Sequence, residues 1–350
     1  MTTNTKILYG GLRALTRELG LPDWQEAKYT IILDENTFQH CLPRLIANVE
    51  VLQEADFIEV PVGEECKSIE VAAQVWQTLM ENTADRQSVI VNLGGGCVCD
   101  LGGFVAAGYK RGIRYVNIPT TLLSMVDASI GGKTAINFGG VKNSIGHFYP
   151  AALTVMEPAF LKTLPPTEII NGTMEMVKTA AVTDPTLFNE LIVDTDTSLL
   201  SPFTSHLKQV ARIKARVVKA DPYDHSIRKI LNFGHTIGHA VEVYSDLPHG
   251  IAVGIGIKAA MYLSVKKTGL SDETYNSYSQ WLEATLSTIN HQLPTYNLKD
   301  IEAMLPLMHH DKKNASGTVR CVLLQEIGAA IIDVEVSDNE IRDTLLKLAR

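Results

Sequence analysis

The stretch SVIVNLGGGCVCDLGGFVAAGY (88–109) runs from an apolar segment through three glycines into a segment rich in small residues. Glycine lets the backbone approach a phosphate closely, and a helix N-terminus offers unpaired N–H groups with partial positive charge. The stretch therefore predicts a strand, a turn that fits a dinucleotide pyrophosphate, and a helix. Such turns also occur merely to pack a helix tightly, and the G-x-G-x-x-G fingerprint of an ordinary Rossmann dehydrogenase is missing.

The segments around this stretch divide the chain into two expected domains. Short β-branched runs alternate with helical patterns over residues 1–160, which predicts an α/β nucleotide-binding domain with a Rossmann-like parallel sheet. The 3.6-residue spacing of residues 161–350 predicts a mainly α-helical second domain. In the first domain we expect strands at 29–34, 57–62, 88–96 and 115–121 and a helix at 68–81. In the second we expect helices at 167–183, 186–200, 203–220, 228–245, 250–268, 271–289, 298–310 and 338–349, with two strands within 318–336.

The overall composition limits the partners of the protein. A net charge of -8 leaves no broad basic field for a nucleic acid, so any bound phosphate must be small and held locally. The N-terminal residues have no apolar core of signal-peptide length, and no run of about 18 apolar residues occurs, so we expect a cytoplasmic protein without a membrane partner. The five cysteines have no framework spacing, which fits reduced thiols. Cys97 and Cys99 form a C-x-C pair that could suggest a metal, but without a second pair we expect packing or loop residues.

Polar residues in two further places are candidates for binding. The stretch 109–146 concentrates cations, amides and glycines, which suits a phosphate ester better than a core or a solvated loop. Its candidate residues are Arg111, Asp127, Lys133, Lys142 and Asn143. A second patch follows two expected strands, where Asp34 and Asn36, then Glu64 and Lys67, are placed to bind ribose hydroxyls. Taken alone, this second patch is better explained by turn chemistry, because Asp and Asn favour such bends.

Candidate metal ligands lie in the second domain. Glu175 and Lys178 are three residues apart and share a helix face. On the expected helix 228–245, polar residues recur at steps of four, three and four, which places them along one side: Arg228, Asn232, His235 and His239. His249 follows at the start of another apolar helix. One glutamate and two histidines would leave a catalytic zinc an open position, but the pattern alone does not choose which pair of histidines binds.

Seven ordered motifs between residues 94 and 314 resemble those of the sugar phosphate cyclases, and of the 3-dehydroquinate synthases in particular. They are G-G-G-x-V-x-D-L-x-G-F, V-D-A-S-x-G-G-K-T, K-N, F-L-K-T-L, E-M-V-K, R-K-x-L-N-x-G-H-T-x-G-H-A and D-K-K-N. The resemblance implies an NAD-binding domain over 1–160 and a metal- and substrate-binding domain over 161–350. It also implies a homodimer that acts on a small sugar phosphate.

The resemblance also implies roles for individual residues. The implied ligands of Zn²⁺, with Co²⁺ as an alternative metal, are Glu175, His235 and His249. The implied substrate-site residues are Asp127, Lys133, Asn143, Lys178, Lys214, Arg228, Asn232, His239, Lys312 or its neighbour Lys313, and Arg111 from a partner subunit. The implied NAD-binding residues are Asp34, Asn36, Glu64, Lys67, Gly95, Gly96, Cys97, Val98, Cys99, Asp100, Thr120, Thr121, Lys133, Lys142, Phe160, Leu161, Lys162 and Thr163.

The implied reaction converts 3-deoxy-D-arabino-heptulosonate 7-phosphate into 3-dehydroquinate and phosphate, as a phosphorus–oxygen lyase of the shikimate pathway and aromatic amino acid biosynthesis. The alternatives are a valiolone- or inosose-forming cyclase, a metal-dependent polyol dehydrogenase and a catalytically silent NAD-binding protein. The intact Gly132 and His239 favour the dehydroquinate reaction. Three features depart from the family pattern: Cys99 replaces a glycine, Asp224 replaces a glutamate, and the segment between His235 and His249 is shortened.

Overall fold

The structure, a computed structural model, describes residues 5–193, 201–309 and 318–348, with the backbone alone at 201–205. The chain divides into two compact units, Met1–Leu164 and Pro165–Arg350. The expected assignment of cofactor binding to residues 1–160, and of metal and substrate binding to 161–350, stays a prediction. In the part of the chain that is described, no helix is long and apolar enough to cross a bilayer.

The first unit is built on a six-stranded parallel sheet. Its strand order is β1-β8-β5-β4-β2-β3. The strands of the unit are β1 (Lys6–Leu8), β2 (Tyr29–Leu33), β3 (Asp56–Glu59), β4 (Val89–Gly94), β5 (Arg114–Pro119), β6 (Lys133–Phe138), β7 (Val141–Phe148) and β8 (Leu153–Val155). Its helices are α1 (Gly11–Leu19), α2 (Pro22–Gln25), α3 (Glu35–His40), α4 (Leu42–Asn48), α5 (Ile69–Glu81) and α6 (Gly96–Gly108), with 3-10 turns at Glu50–Leu52, Gly63–Cys66, Tyr109–Arg111 and Pro158–Thr163 and a π-helix at Ser124–Ala128.

The central strands are buried on both faces, which explains their continuous apolar sequence. Every residue of β2 and β4 is buried, as expected of a parallel sheet covered by helices. The four expected strands are present as β2, β3, β4 and β5, and the expected helix 68–81 is present as α5, capped by Ser68. The predicted Rossmann-like parallel sheet is therefore confirmed. Strands β1 and β8 were not predicted, since three residues are too few to show a period.

Part of the expected binding stretch 109–146 is a β-hairpin. Strands β6 and β7 pair antiparallel and form a separate two-stranded sheet. Gly139 and Gly140 join them with φ of 60° and 78°, which favours glycine at both positions. Most of β7 is exposed, so its sequence lacks the apolar alternation that would have revealed a strand.

The second unit is mainly helical, which confirms that part of the predicted fold class. Its helices are α7 (Pro166–Ala181), α8 (Pro185–Val193), α9 (Ser201–Ala220), α10 (His235–Ser245), α11 (His249–Lys267), α12 (Asp272–Ser287), α13 (Leu298–His309) and α14 (Asp338–Lys347), with a 3-10 helix at Ile227–Asn232. Strands β9 (Val319–Glu326) and β10 (Ala329–Val336) form a hairpin. The ends of three expected helices, at 194–200, 310 and 349, lie outside the described residues.

The prediction of one continuous helix over 228–245 is wrong. The chain forms a 3-10 helix up to Asn232 and starts a new α-helix at His235. Gly234 has φ of 79°, and a Cβ on it would lie 2.8 Å from the backbone nitrogen of Ile257. Close packing on α11 therefore needs glycine at this point, and Phe233, with ψ of 126°, together with the left-handed Gly234 interrupts the helical backbone. Arg228 and Asn232 consequently do not share a helix with His235 and His239.

Candidate active site

Three helices of the second unit bring a carboxylate and two imidazoles together. Glu175 lies in the buried part of α7, while His235 and His249 are the first residues of α10 and α11. Gly250 allows α11 to touch α7, because a Cβ there would lie 2.2 Å from the carbonyl oxygen of Asn171. This close packing places His249 beside the helix that carries Glu175.

The geometry of this group matches a metal site. Oε1 of Glu175 lies 3.4 Å from Nε2 of His235 and 3.5 Å from Nε2 of His249. One ligand atom from each residue lies within 4.8 Å of the other two. The Glu175 side chain is 1% exposed, and among the described residues neither oxygen accepts a hydrogen bond of normal geometry, although the Lys178 ammonium lies against Oε2. A buried carboxylate with spare acceptor capacity fits a cation, so the residues present suit Zn²⁺ or Co²⁺.

Both imidazoles are oriented by contacts of their Nδ1 atoms. Nδ1 of His249 lies 2.8 Å from Oε2 of Glu242, and Nδ1 of His235 lies 3.3 Å from the carbonyl oxygen of Phe233. Metal-bound histidines commonly contact such acceptors through the nitrogen that does not bind the metal. The contacts direct both Nε2 atoms toward Glu175, as metal binding requires.

The charges of this group are strongly coupled. Burial would raise the pKa of Glu175, but Lys178 and His249 together lower it to about 2. Burial would lower the pKa of His249, but its contacts with Glu175 and Glu242 raise it to about 9. The two shifts are coupled through the contact between Glu175 and His249, since a buried carboxylate stabilises a positive charge nearby. A divalent ion would replace the proton on Nε2 of His249, while Nδ1 keeps its contact with Glu242.

A second combination of side chains shares His249. Ligand atoms of His239, Glu242 and His249 also lie within 4.8 Å of one another, and the rings of His235 and His239 are 5.1 Å apart. Glu242 already accepts from Nδ1 of His249, whereas Nε2 of that ring and Nε2 of His235 both face Oε1 of Glu175. The group with Glu175 is therefore the better cation site.

Three expected substrate-site cations of the second unit are buried. Lys178, Lys214 and Arg228 are 1%, 6% and 4% exposed. Arg228 donates from Nη1 to the carbonyl oxygen of Pro222 at 2.7 Å. Three cations in one unit suit an acidic ligand, because ammonium and guanidinium groups are the usual partners of carboxylates and phosphates. Asn232 is half-buried at the end of the 3-10 helix that also carries Arg228. Lys312 and its neighbour Lys313 lie outside the described residues.

Asp221 is a residue of this region that the sequence analysis did not single out. Its carboxylate accepts from the backbone nitrogens of His225, Ser226 and Arg228 at 3.0, 2.6 and 3.1 Å. Burial opposes these bonds, yet they hold the pKa of Asp221 well below its usual range. Asp221 thus fixes the turn that leads into Arg228. The Asp-Pro pair at 221–222 signalled a turn, but not which later residues it would bind.

A polar cluster of the first unit surrounds Lys67, which is 3% exposed. Its Nζ lies 2.7 Å from Oδ2 of Asp100 and 2.5 Å from Oδ1 of Asn143. Glu64 accepts from Nδ2 of Asn137 at 2.8 Å and contacts Sγ of Cys97 at 3.5 Å. The structure thus joins residues of the expected ribose patch, the glycine turn and the 109–146 stretch, which are far apart in sequence.

The charges of this cluster compensate one another. Burial would lower the pKa of Lys67, but Asp100 and Glu64 raise it above its usual value. Burial raises the pKa of Asp100 and Lys67 opposes that rise. Burial would raise the pKa of Glu64, but Lys67 and Lys142 help to hold it below its usual value. Lys142 is exposed on β7. Asn137 was not singled out, because an amide on an exposed hairpin carries no sequence signal.

The glycine turn approaches the segment after β5. A Cβ on Gly95 would lie 3.2 Å from Cγ2 of Thr121, and one on Gly96 would lie 3.2 Å from Cβ of Ala128. Helix α6 starts at Gly96 without a side-chain cap, which leaves its first N–H groups for an anion. Thr120 is buried and donates its N–H to the carbonyl of Gly94 at 3.0 Å. Asp127 lies in the π-helix that follows.

Cys99 and Val98 face the interior of the first unit. Cys99 is 3% exposed, with Sγ 3.8 Å from the carbonyl oxygen of Gly94, and Val98 is 2% exposed. Burial raises the pKa of the Cys99 thiol well above its usual value. The expected role of Cys99 as a packing residue agrees with this placement.

Other expected site residues have simpler surroundings. Asp34 caps α3, because its Oδ1 accepts from the backbone nitrogen of Thr37 at 2.9 Å, which is the turn chemistry considered above. Asn36 and Lys133 are exposed. Arg111 is exposed, with φ of 70°. The last four expected cofactor residues, Phe160, Leu161, Lys162 and Thr163, lie on one 3-10 helix, where the first two are buried.

Comparison with a solved structure defines the class of protein. The 2-epi-5-epi-valiolone synthase of Streptomyces hygroscopicus, solved with NAD⁺ and Zn²⁺ bound, superposes with a TM-score of 0.85 at 25% identity, over 100% of this chain and 97% of that one. The parallel sheet with its glycine turn and the helical unit with its Glu–His–His group thus define a fold of the dehydroquinate synthase type.

Sequence comparisons identify the family within that class. The family model described as 3-dehydroquinate synthase N-terminal matches residues 57–171, and the one described as 3-dehydroquinate synthase C-terminal matches 172–314. The 3-dehydroquinate synthase of Parabacteroides distasonis is 38% identical over 324 residues, which cover 91% of this chain and 90% of the relative. That of Dehalococcoides mccartyi is 43% identical over 288 residues, which cover 80% and 78%. The chain belongs to the 3-dehydroquinate synthase family.

Proposed function

We propose that the protein is a 3-dehydroquinate synthase, a phosphorus–oxygen lyase that converts 3-deoxy-D-arabino-heptulosonate 7-phosphate into 3-dehydroquinate and phosphate. Relatives that carry this name are 38% and 43% identical to the chain. The observation that carries the proposal is the meeting of Glu175, His235 and His249 around a buried carboxylate. We assign the reaction to the shikimate pathway, with the protein acting as a cytoplasmic homodimer.

Glu175, His235 and His249 would hold Zn²⁺ or Co²⁺ and leave a position for substrate oxygens. When bound, the metal would supply a Lewis acid for a substrate hydroxyl, and NAD would supply a reversible hydride acceptor. His235 and His249 keep their Nε2 atoms directed at the ion through contacts of their Nδ1 atoms. Lys178 lies against the carboxylate of the triad, where its charge also favours an anionic substrate.

The remaining proposed substrate residues supply positive charge and amides. Lys214, Arg228 and Asn232 would meet the carboxylate and hydroxyls of the substrate, and His239 its phosphate. Lys133, Asn143, one of Lys312 and Lys313, and a partner's Arg111 would orient the phosphate group, with Asp127 near the reacting carbons. The substrate's own phosphate can then serve as the base in elimination, so cations that position it matter more than an added carboxylate.

NAD would bind in the first unit, along the glycine turn. The N–H groups at the start of α6 suit its pyrophosphate, and Gly95 approaches Thr121 there. Lys67 holds Asp100 and Asn143 in place, while Glu64 accepts from Asn137. The other proposed cofactor residues are Asp34, Asn36, Cys97, Val98, Cys99, Thr120, Lys133, Lys142 and the 160–163 segment.

A phosphate-release assay tests this function. The purified protein with the heptulosonate phosphate, NAD and Zn²⁺ should release one phosphate for each 3-dehydroquinate formed, and a chelator should stop the reaction until metal is restored. Free NADH should not accumulate, because the hydride returns within one turnover. Failure to release phosphate would favour a silent NAD-binding protein. Steady NADH release would identify a polyol dehydrogenase, and a different carbocyclic product would identify another sugar phosphate cyclase, the class of the valiolone synthase neighbour.

A further inference from the structure

Glu242 contacts a proposed metal ligand from the side opposite to the triad. Oε2 of Glu242 lies 2.8 Å from Nδ1 of His249, whose Nε2 lies 3.5 Å from Oε1 of Glu175. An ionised carboxylate only accepts hydrogen bonds, so Nδ1 of His249 carries a hydrogen in this contact. The nitrogen that can offer a lone pair to a metal is then Nε2, on the side of Glu175.

The two imidazoles of the triad depend on such a contact to different degrees. His235 is 12% exposed, and its Nδ1 faces a backbone carbonyl two residues earlier. His249 is 34% exposed at the first position of α11, so burial restrains its ring less. Among the side chains described, Glu242 gives His249 a charged partner on Nδ1, and a charge-assisted hydrogen bond is stronger than a neutral one.

We propose that Glu242 is a positioning residue that holds His249 in the orientation and tautomer that metal binding requires, an inference that rests on the proposed metal site. Glu242 follows His235 by seven residues and His239 by three, so the three share one face of α10. The same helix therefore supplies one ligand and orients another. Glu242 is itself 12% exposed, which limits its freedom to turn away.

The test measures metal binding by the full-length, metal-free protein with Glu242→Ala and Glu242→Gln. Zinc affinity is obtained by competition with a chromophoric chelator, and the geometry of the site from the visible spectrum of bound Co²⁺. Loss of an outer partner of a metal ligand costs about 10–100-fold in affinity, so we expect that loss and an altered cobalt spectrum for Glu242→Ala. Glu242→Gln keeps an acceptor oxygen without its charge, and should fall between the parent and Glu242→Ala.

A matched control is Glu190→Gln. It removes the carboxylate partner of another histidine, His206, whose Nε2 lies 3.0 Å from Glu190. This pair connects α8 and α9 rather than the helices of the triad. The control should leave zinc affinity and the cobalt spectrum unchanged, which would separate a specific effect at His249 from a general loss of charge.

Two results would overturn the proposal. One is parental zinc affinity and an unchanged cobalt spectrum in Glu242→Ala, or in Glu242→Gln alone if circular dichroism shows that the alanine variant does not fold. The other is two cobalt ions per parent chain, of which Glu242→Ala loses only one, because Glu242 would then be a ligand in a group with His239. No turnover enters these measurements, so a failure of the proposed reaction would leave their outcome unaffected.

Discussion

Lys67 in the first unit and Glu175 in the second are both buried charged residues, but their surroundings differ. Lys67 has two oxygen partners, in Asp100 and Asn143, so its charge is compensated by neighbours that also fix its position. Glu175 has one ammonium beside it and two imidazoles at 3.4 and 3.5 Å, yet its oxygens accept no hydrogen bond of normal geometry within the described residues.

The difference separates a group that stabilises the fold, around Lys67, from a group that can bind an ion, around Glu175. A compensated cluster holds its members in place and needs nothing further, whereas a buried carboxylate short of donors has capacity for a cation. The Lys67 cluster therefore supports the proposed cofactor site by positioning its side chains. The Glu175 group has the ligand atoms to bind a cation.

Glu175→Ala should remove the metal site. Without the carboxylate, two imidazoles remain, and we expect stoichiometric zinc binding to be lost in titrations of the purified protein. Metal catalysis contributes several kcal/mol, so kcat should fall by at least about a thousandfold. Glu302→Ala, which removes an exposed carboxylate paired with Arg342, is the control and should retain both properties. One zinc ion bound with parental affinity in Glu175→Ala would contradict the proposed ligand set.

Lys67→Met should destabilise the first unit and leave the metal site intact. The substitution removes the compensating charge from Asp100, which is 20% exposed, and we expect a loss of about 2–4 kcal/mol in the free energy of unfolding. Urea denaturation measures that loss, and zinc titration should give the parental affinity. Lys6→Met, which removes an exposed ammonium beside Glu18, should cost less than about 1 kcal/mol. Equal effects of the two variants would argue against a framework role for Lys67.

Zinc affinity should rise with pH over a range set by His249. The pKa of this imidazole is raised to about 9 in the metal-free protein, so a proton must leave before Nε2 can bind an ion. Apparent affinity should increase about tenfold per pH unit between pH 6 and 8 and level off above pH 9. Competition titrations at several pH values measure this slope, and calorimetry in two buffers measures the released proton. A flat profile would contradict the coupling described here.

The raised pKa of His249 also sets how the free energy of unfolding of the metal-free protein depends on pH. Because the folded pKa of His249 lies above the unfolded value, its contribution is fully present below about pH 6.5 and is lost as the pH rises through about 9. The metal-bound protein should not show this loss.

Cys99→Ala should have the smallest effect. The side chain is buried and its thiol contacts the carbonyl of Gly94, so it packs the glycine turn from inside. We expect a cost of about 1 kcal/mol in stability, with NAD affinity from fluorescence titration within about twofold of the parent. Tighter NAD binding by tenfold or more would mean that Cys99 does crowd the pyrophosphate.

The sequence predicted the regular parts of the fold well because period and burial coincide there. The strands around β4 are continuous apolar runs, and the helices of the second unit repeat at 3.6 residues. The break at Gly234 was missed because the steps from Arg228 to His239 fit one helix, while the reason for the break is the packing of Gly234 on Ile257. Tertiary contact of this kind leaves no periodic signal.

The candidate site was predictable to the extent that its residues are distinctive. A glutamate and two histidines in a helical domain suggested a metal, and the family motifs chose among the histidines. Glu242, Asp221 and Asn137 were not predicted, because the sequence does not show whether an acidic or amide residue orients a neighbour. Their roles depend on distances of about 3 Å that only the folded chain defines.

The position of the three proposed ligands along the chain has a consequence for how the holoenzyme is produced. All of them follow residue 165 and belong to a single compact unit, so the three proposed ligands come from the second unit, while the glycine turn lies in the first. We expect that a preparation from a zinc-poor culture can contain NAD and still be inactive. Specific activity should therefore be normalised to the measured metal content of each batch, and not to protein concentration alone.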